Sequence, residues 1–310
     1  MGVLYTLSND HVASYNRRTK FFDRIKIGNT NSYFYDFTID VSSGTLFISD
    51  CKNSAIHEYN ARHKSPGTIG AVVGPTYIQA GLGTPYLFVV SEVSKFMTMV
   101  NYKSIFVIRL QDNKVIATLP SPRNPVKLAV SADCRTVYVV DHEKGSAAYA
   151  LYKIDVEAKT ISGSLALNGP VAGMCISPDG RMVYLSMVGQ GKVLVVNSDG
   201  LTVSGEILVQ DSNGRIYELR DIVLSPDGTK LYAATGTKAI AVIGLENRAP
   251  LTFIQTSFNA STMAIDTAEN LLYVACALLD LLVIDMPTDR IIRRMTMEQG
   301  VIKKILVGPS

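Results

Sequence analysis

The chain has 310 residues, 47% apolar and 18% charged, which leaves little polarity for a long disordered tail and ample material for a core. With 30 Lys and Arg against 27 Asp and Glu the net charge is +3, too mild for the concentrated basic stripe that a nucleic-acid partner asks for. Its 4 cysteines form no Cys-x-x-Cys spacing and no disulfide framework, and no paired histidines suggest a metal, so neither a metal nor a cofactor is expected.

Read from the N-terminus, Met1-Gly2 leads straight into a strand over Val3–Ser8. No basic segment followed by an apolar stretch precedes it, so no secretion signal is expected. A pattern then recurs seven times: a β-branched run, a turn often reading Ser-Pro-Asp-Gly, and an aromatic inside a second apolar run. It is clearest in Ile176-Ser177-Pro178-Asp179-Gly180-Arg181-Met182-Val183-Tyr184 and in Leu224-Ser225-Pro226-Asp227-Gly228-Thr229-Lys230-Leu231-Tyr232. The start Met1-Gly2-Val3-Leu4-Tyr5 is the second half of such a unit, and the end Ile305-Leu306-Val307-Gly308-Pro309-Ser310 is a first half. Joined, the two ends have the spacing of Ser177 to Tyr184. A repeat of about 40–50 residues cut at both ends implies a closed ring of short strands, a β-propeller.

The predicted fold is all-β: seven blades of four antiparallel strands, A to D from the axis outward, in one domain spanning 1–310. Blade 1 takes residues 1–28 and, as its strand A, residues 300–310. Blades 2 to 7 follow at 29–70, 71–120, 121–168, 169–209, 210–256 and 257–299. The long apolar run from Leu271 to Met286 is too short for a membrane span, carries Asp280 and Asp285, and reads as strand, turn, strand. Inner strands such as Leu281-Leu282-Val283-Ile284 are continuously apolar, as burial on both faces requires. The outer Arg24-Ile25-Lys26-Ile27 alternates instead. Cys175 and Cys276 fall in strands of different blades, and Cys51 and Cys134 in loops on opposite faces, as free thiols of a reducing compartment. The expected location is the cytoplasm, or an assembly built there such as a virion.

The Ser-Pro-Asp-Gly turn followed by Val183–Ser186, Leu231–Ala234 or Leu272–Ala275 resembles the YVTN-type β-propeller repeat. The likeness is strong in blades 4 to 7, while blades 2 and 3 keep the spacing with Phe47 and Phe88 in place of Tyr. WD-repeat propellers match less well, because this chain has no Trp. The resemblance implies a propeller and brings in the lactonase-like proteins of that family. No catalytic residue of theirs can be matched to a position here. The motif is structural: Asp-Gly supplies a tight turn with positive φ, and the aromatic packs between blades.

Propellers bind ligands mostly on D–A and B–C loops at one mouth of the channel. Four residues before the turn, each strand A presents an equivalent position: Lys304, Asp36, Tyr77, Lys127, Gly173, Asp221 and Thr262. These form an expected polar collar, either self-neutralising around the channel or holding a small anionic or polar ligand on Lys127 and Lys304. Asp141-His142-Glu143 is the densest acid/base cluster. A His between carboxylates suits a general base, against which stands an ordinary solvated loop, since adjacent residues point apart and no nucleophile is placed nearby. His57 and His63 belong to the outer part of blade 2.

Two loops exceed the repeat length, 91–103 with Phe96, Met97 and Met99, and 211–220 with Tyr217. Apolar loop tips either pack on their own blade or dock a protein partner. Arg17 and Arg18 of blade 1 and Arg290 of blade 7 form a basic corner, solvated or facing an acidic partner. The predicted function is a non-catalytic scaffold for protein–protein interaction, such as a structural part of a virion. The alternatives are a lactonase-like hydrolase of a sugar lactone and a small-ligand sensor at the channel mouth.

Overall fold

Each repeat folds as one four-stranded antiparallel sheet, and seven such sheets stand in a ring. The computed structural model describes residues 3–16, 20–60, 63–70, 72–92, 103–142, 147–277, 280–296 and 302–308. Among these there is no α-helix, and no helix long and apolar enough to cross a membrane. The inner strands are Lys304–Gly308, Phe34–Asp40, Pro75–Ala80, Pro125–Val130, Val171–Ile176, Leu219–Leu224 and Ala260–Asp266. Each neighbours the next, and the last returns to the first.

The ring closes through a composite sheet. The C-terminal strand Lys304–Gly308 pairs antiparallel with Val3–Leu7, with Val3 opposite Gly308, Tyr5 opposite Leu306 and Leu7 opposite Lys304. Strands Val12–Asn16 and Phe21–Ile25 complete that blade. Pairing here removes the open edge that an unclosed ring would expose.

The core is not one mass. It divides into seven apolar clusters, each set between two adjacent blades, including the seam on either side of blade 1. The repeat aromatic explains this arrangement. Tyr5, Phe47, Phe88, Tyr138, Tyr184, Tyr232 and Tyr273 all lie buried, one in each cluster, against the following blade. Burying a ring of this size stabilises by roughly 1.5–3 kcal/mol.

The turns follow the sequence logic. Ser177 Oγ donates to Asp179 Oδ1 at 2.5 Å, and the same carboxylate accepts the Arg181 N–H at 3.1 Å. Gly180 sits at φ 73°, in the left-handed region that glycine adopts freely. Blade 4 repeats the turn with Ser131 on Asp133 at 2.6 Å, but Cys134 takes the positive φ of 58° in the glycine's place. The outer strands of blades 3 to 7 carry a β-bulge at matching positions, and that of blade 2 carries Pro66. Both devices blunt an exposed strand edge.

Candidate functional site at the channel mouth

Six of the seven inner strands have a register irregularity near their start, between Phe34 and Phe37, Pro75 and Ile78, Pro125 and Lys127, Val171 and Gly173, Leu219 and Asp221, and Ala260 and Thr262. Such a bulge re-aims a side chain. All seven collar positions, Lys304, Asp36, Tyr77, Lys127, Gly173, Asp221 and Thr262, line one channel cavity of about 940 Å3.

The two aspartates do the same structural job. Asp36 Oδ1 accepts the N–H of Phe37 at 2.8 Å, while Oδ2 accepts the N–H of Ile78, in the next blade, at 3.2 Å. Asp221 Oδ1 accepts the N–H of Ile222 at 3.0 Å, and Oδ2 the N–H of Met263 in the next blade at 2.9 Å. Each carboxylate therefore ties its own strand to the neighbouring inner strand through backbone amides.

Their charges are met differently. Lys304 Nζ donates to Asp36 Oδ1 at 2.7 Å and to the Phe37 carbonyl at 2.9 Å, so Lys304 is already engaged. Among the described residues Asp221 has no such close cation. Burial pushes its carboxyl above the ordinary value; the field of Lys127, the Met263 and Ile222 N–H groups and the Thr262 hydroxyl pull it partly back. Lys127 acts from blade 4, across a blade whose collar residue is Gly173. A Cβ on Gly173 would stand 2.8 Å from the Ile222 nitrogen, so glycine lets these inner strands approach.

The structure adds residues that the repeat register does not select. Lys303 Nζ donates to the Phe34 carbonyl at 3.0 Å and lies 4.4 Å from the centre of the Tyr33 ring, a cation–π contact. Tyr35 donates its hydroxyl to that of Tyr77 at 3.2 Å, with the rings edge to face. Asp50 positions the loop that carries these tyrosines. Fully buried, it accepts the Tyr33 N–H at 3.1 Å and the Asn53 side-chain amide at 2.7 Å, and lies 3.0 Å from His57 Nε2. Burial pushes its carboxyl up, but hydrogen bonds from Ser32, Asn53, His57 and the Tyr33 N–H together hold it below the ordinary value. His57, placed by the sequence in the outer part of blade 2, thus supports the mouth. Its Asp–His contact joins residues seven apart on paired strands, a spacing that carries no motif.

The other candidates do not converge. Asp141 is buried, and its carboxylate accepts the N–H of Asn124; the His142 ring stacks on Tyr149 at 4.4 Å between centres. Both side chains serve the blade, and Glu143 lies outside the described residues. Tyr217, expected at a docking surface, is 5% exposed, stacked on Phe253 at 4.7 Å. Its hydroxyl donates to Asp211 Oδ2 at 3.1 Å. It anchors the loop, and the neighbour Ile216 is the exposed apolar residue, at 56%. Arg290 is exposed at the start of an outer strand. Arg17, Arg18, Phe96, Met97 and Met99 lie outside the described residues. The four thiols are free; burial pushes the Cys276 thiol up to about 12, which leaves it protonated and inert at neutral pH.

The geometry defines a seven-bladed β-propeller with a mixed-charge channel collar. The comparisons agree at the level of fold. A functionally unknown protein from Desulfotomaculum acetoxidans DSM 771 superposes with a TM-score of 0.74 over 100% of both chains at 12% identity. Kuenenia stuttgartiensis hydrazine synthase superposes with a TM-score of 0.70, covering 91% of this chain and 92% of that one at 19% identity. No protein-family model matches, so the YVTN-type resemblance has no family match behind it, and no curated protein matches.

Proposed function

We propose that this chain is a non-catalytic scaffold that acts as one domain and binds a protein partner on the face carrying the D–A and B–C loops. The engagement of the collar carboxylates carries this reading. Asp36 and Asp221, the acids best placed in the channel, hold neighbouring blades together through backbone amides, and Asp141 is likewise spent on a backbone amide. A hydrolase needs an acid or base able to reach substrate. Meanwhile the same face shows Tyr33 at 41%, Val73 at 55% and Ile216 at 56% exposure. Loop 91–103, which carries Phe96, Met97 and Met99, joins strands that end on this face. Apolar residues on such a rim suit the interface of an assembly component, a virion part being one example.

The test is affinity isolation from host extract, comparing wild type, the double substitution Tyr33→Ala and Ile216→Ala, and Leu82→Ala on the opposite face. A partner recovered with wild type and Leu82→Ala but lost with the double variant supports docking here. Equal recovery with all three refutes it. Turnover of a phosphorylated sugar lactone that disappears in His142→Ala would replace the scaffold with the hydrolase.

A further inference from the structure

A second cavity, of about 520 Å3, opens between loop 211–217, the turn Gly236-Thr237-Lys238 and the segment entering blade 7. Arg215, Thr237, Lys238, Gln255 and Asn259 line it, so two cations, two side-chain amides and a hydroxyl converge, and among the described residues no lining side chain is acidic. Neither cation forms a salt bridge or side-chain hydrogen bond among the described residues. The Arg215 guanidinium lies 5.2 Å from the centre of the Tyr217 ring.

Two carboxylates on the flanking segment are committed elsewhere. Asp211 accepts the N–H groups of Asn213 at 2.9 Å and Arg215 at 3.0 Å, and the Tyr217 hydroxyl at 3.1 Å. It feels the Arg215 charge without a direct ion pair. Glu218 pairs with Arg220 at 3.2 Å. The N–H groups of Thr237 and Lys238 also meet no acceptor among the described residues. Preformed donors of this kind, with spare positive charge, suit a multiply charged oxyanion better than a monovalent one.

The cavity is built in advance. The Tyr217 N–H donates to the Val209 carbonyl at 3.0 Å, Gln210 and Ile216 form an isolated bridge, and Tyr217 is pinned on Phe253. A preorganised loop binds without the entropy loss of ordering. The volume falls in the range of small-molecule sites, roughly 300–1,000 Å3.

We propose that this cavity binds a small phosphate-bearing molecule. The Arg215 fork and the Lys238 ammonium hold the phosphate, and Thr237, Gln255 and Asn259 hydrogen-bond the body. This site shares loop 211–217 with the rim proposed for the partner, but phosphate binding is measured on the chain alone, so it stands or falls without that reading.

The experiment is calorimetric titration of the full chain with inorganic phosphate, pyrophosphate and acetate at constant ionic strength. Wild type should bind phosphate and pyrophosphate and bind acetate far more weakly. Arg215→Ala and Lys238→Ala should each weaken phosphate binding about tenfold or more, while Lys238→Arg retains it and Arg181→Ala, on a remote exposed turn, leaves it unchanged. Matching thermal melts show that the variants are folded. Absence of phosphate and pyrophosphate binding up to about 10 mM, acetate bound as tightly as phosphate, or an equal loss in Arg181→Ala would overturn the proposal.

Discussion

Two sectors of the collar solve one problem in different ways. In blades 1 and 2, Asp36 clips the inner strand of blade 3 and has Lys304 at 2.7 Å. In blades 4 to 6, Asp221 clips the inner strand of blade 7 with only the field of Lys127 nearby and Gly173 between. The hydrogen-bonding roles match; the neutralisation does not. Position in the repeat therefore sets what a side chain holds, and the neighbouring collar residue sets how its charge is tolerated.

The most disruptive way to break the comparison is to delete residues 301–310. This removes Lys304 and leaves the inner edge of Val3–Leu7 without its partner strand, and both seam clusters lose a wall. Stability should fall by about 5 kcal/mol or more, enough to abolish cooperative melting in a calorimetric scan. An unchanged single transition would contradict ring closure through this strand.

Next comes Asp36→Ala, which leaves the Lys304 ammonium with the Phe37 carbonyl but no counter-charge, and the Ile78 N–H without its side-chain acceptor. A loss of about 2–3 kcal/mol is expected in urea unfolding. Adding Lys304→Met should recover part of it, since the stranded charge is then gone.

Gly173→Ala attacks the other sector by sterics alone. The added methyl meets the Ile222 nitrogen at 2.8 Å and the Asp221 Cα at 3.1 Å, backbone that cannot rotate away. The expected loss is about 1–3 kcal/mol, read by the same unfolding curve.

Asp221→Asn should be the mildest, within about 1 kcal/mol at neutral pH, because it keeps one acceptor and removes a poorly neutralised charge. Its signature is in the pH profile. An acid whose folded pKa is raised binds its proton more readily in the native state. Its contribution is therefore favourable at low pH and is lost as pH rises from the ordinary carboxylate range through the raised value. Wild-type stability should show that decline, and Asp221→Asn should remove it while Asp36 remains in place.

Much of the ring was legible in the sequence because its signals are local and repeated. Ser-Pro-Asp-Gly encodes a turn, the aromatic three or four residues beyond it marks a blade interface, and the split unit at the two termini marks the seam. The collar register was legible for the same reason, since a fixed offset from a turn lands at one level of the channel. What each collar residue does was not. The bulge that turns Asp36 and Asp221 toward a neighbouring blade's amide arises from two residues facing one across a strand pair, and no residue type announces it. Lys303 differs from Lys304 by one position, so the register chose one and missed the other. Tyr217 looked like a surface aromatic because its partners Asp211 and Phe253 are joined to it only by the folded loop. The basic cavity at Arg215 and Lys238 joins three segments far apart in the chain, which no linear motif would connect.

Amide hydrogen exchange at Ile78 and Met263 tests the blade-clip account most directly. Asp36→Ala should accelerate exchange at Ile78 about tenfold or more and leave Met263 protected, and Asp221→Ala should do the reverse. Unchanged protection at both amides in both variants would show that the collar carboxylates do not tie the blades together, and would return them to the pool of groups free to act on a ligand.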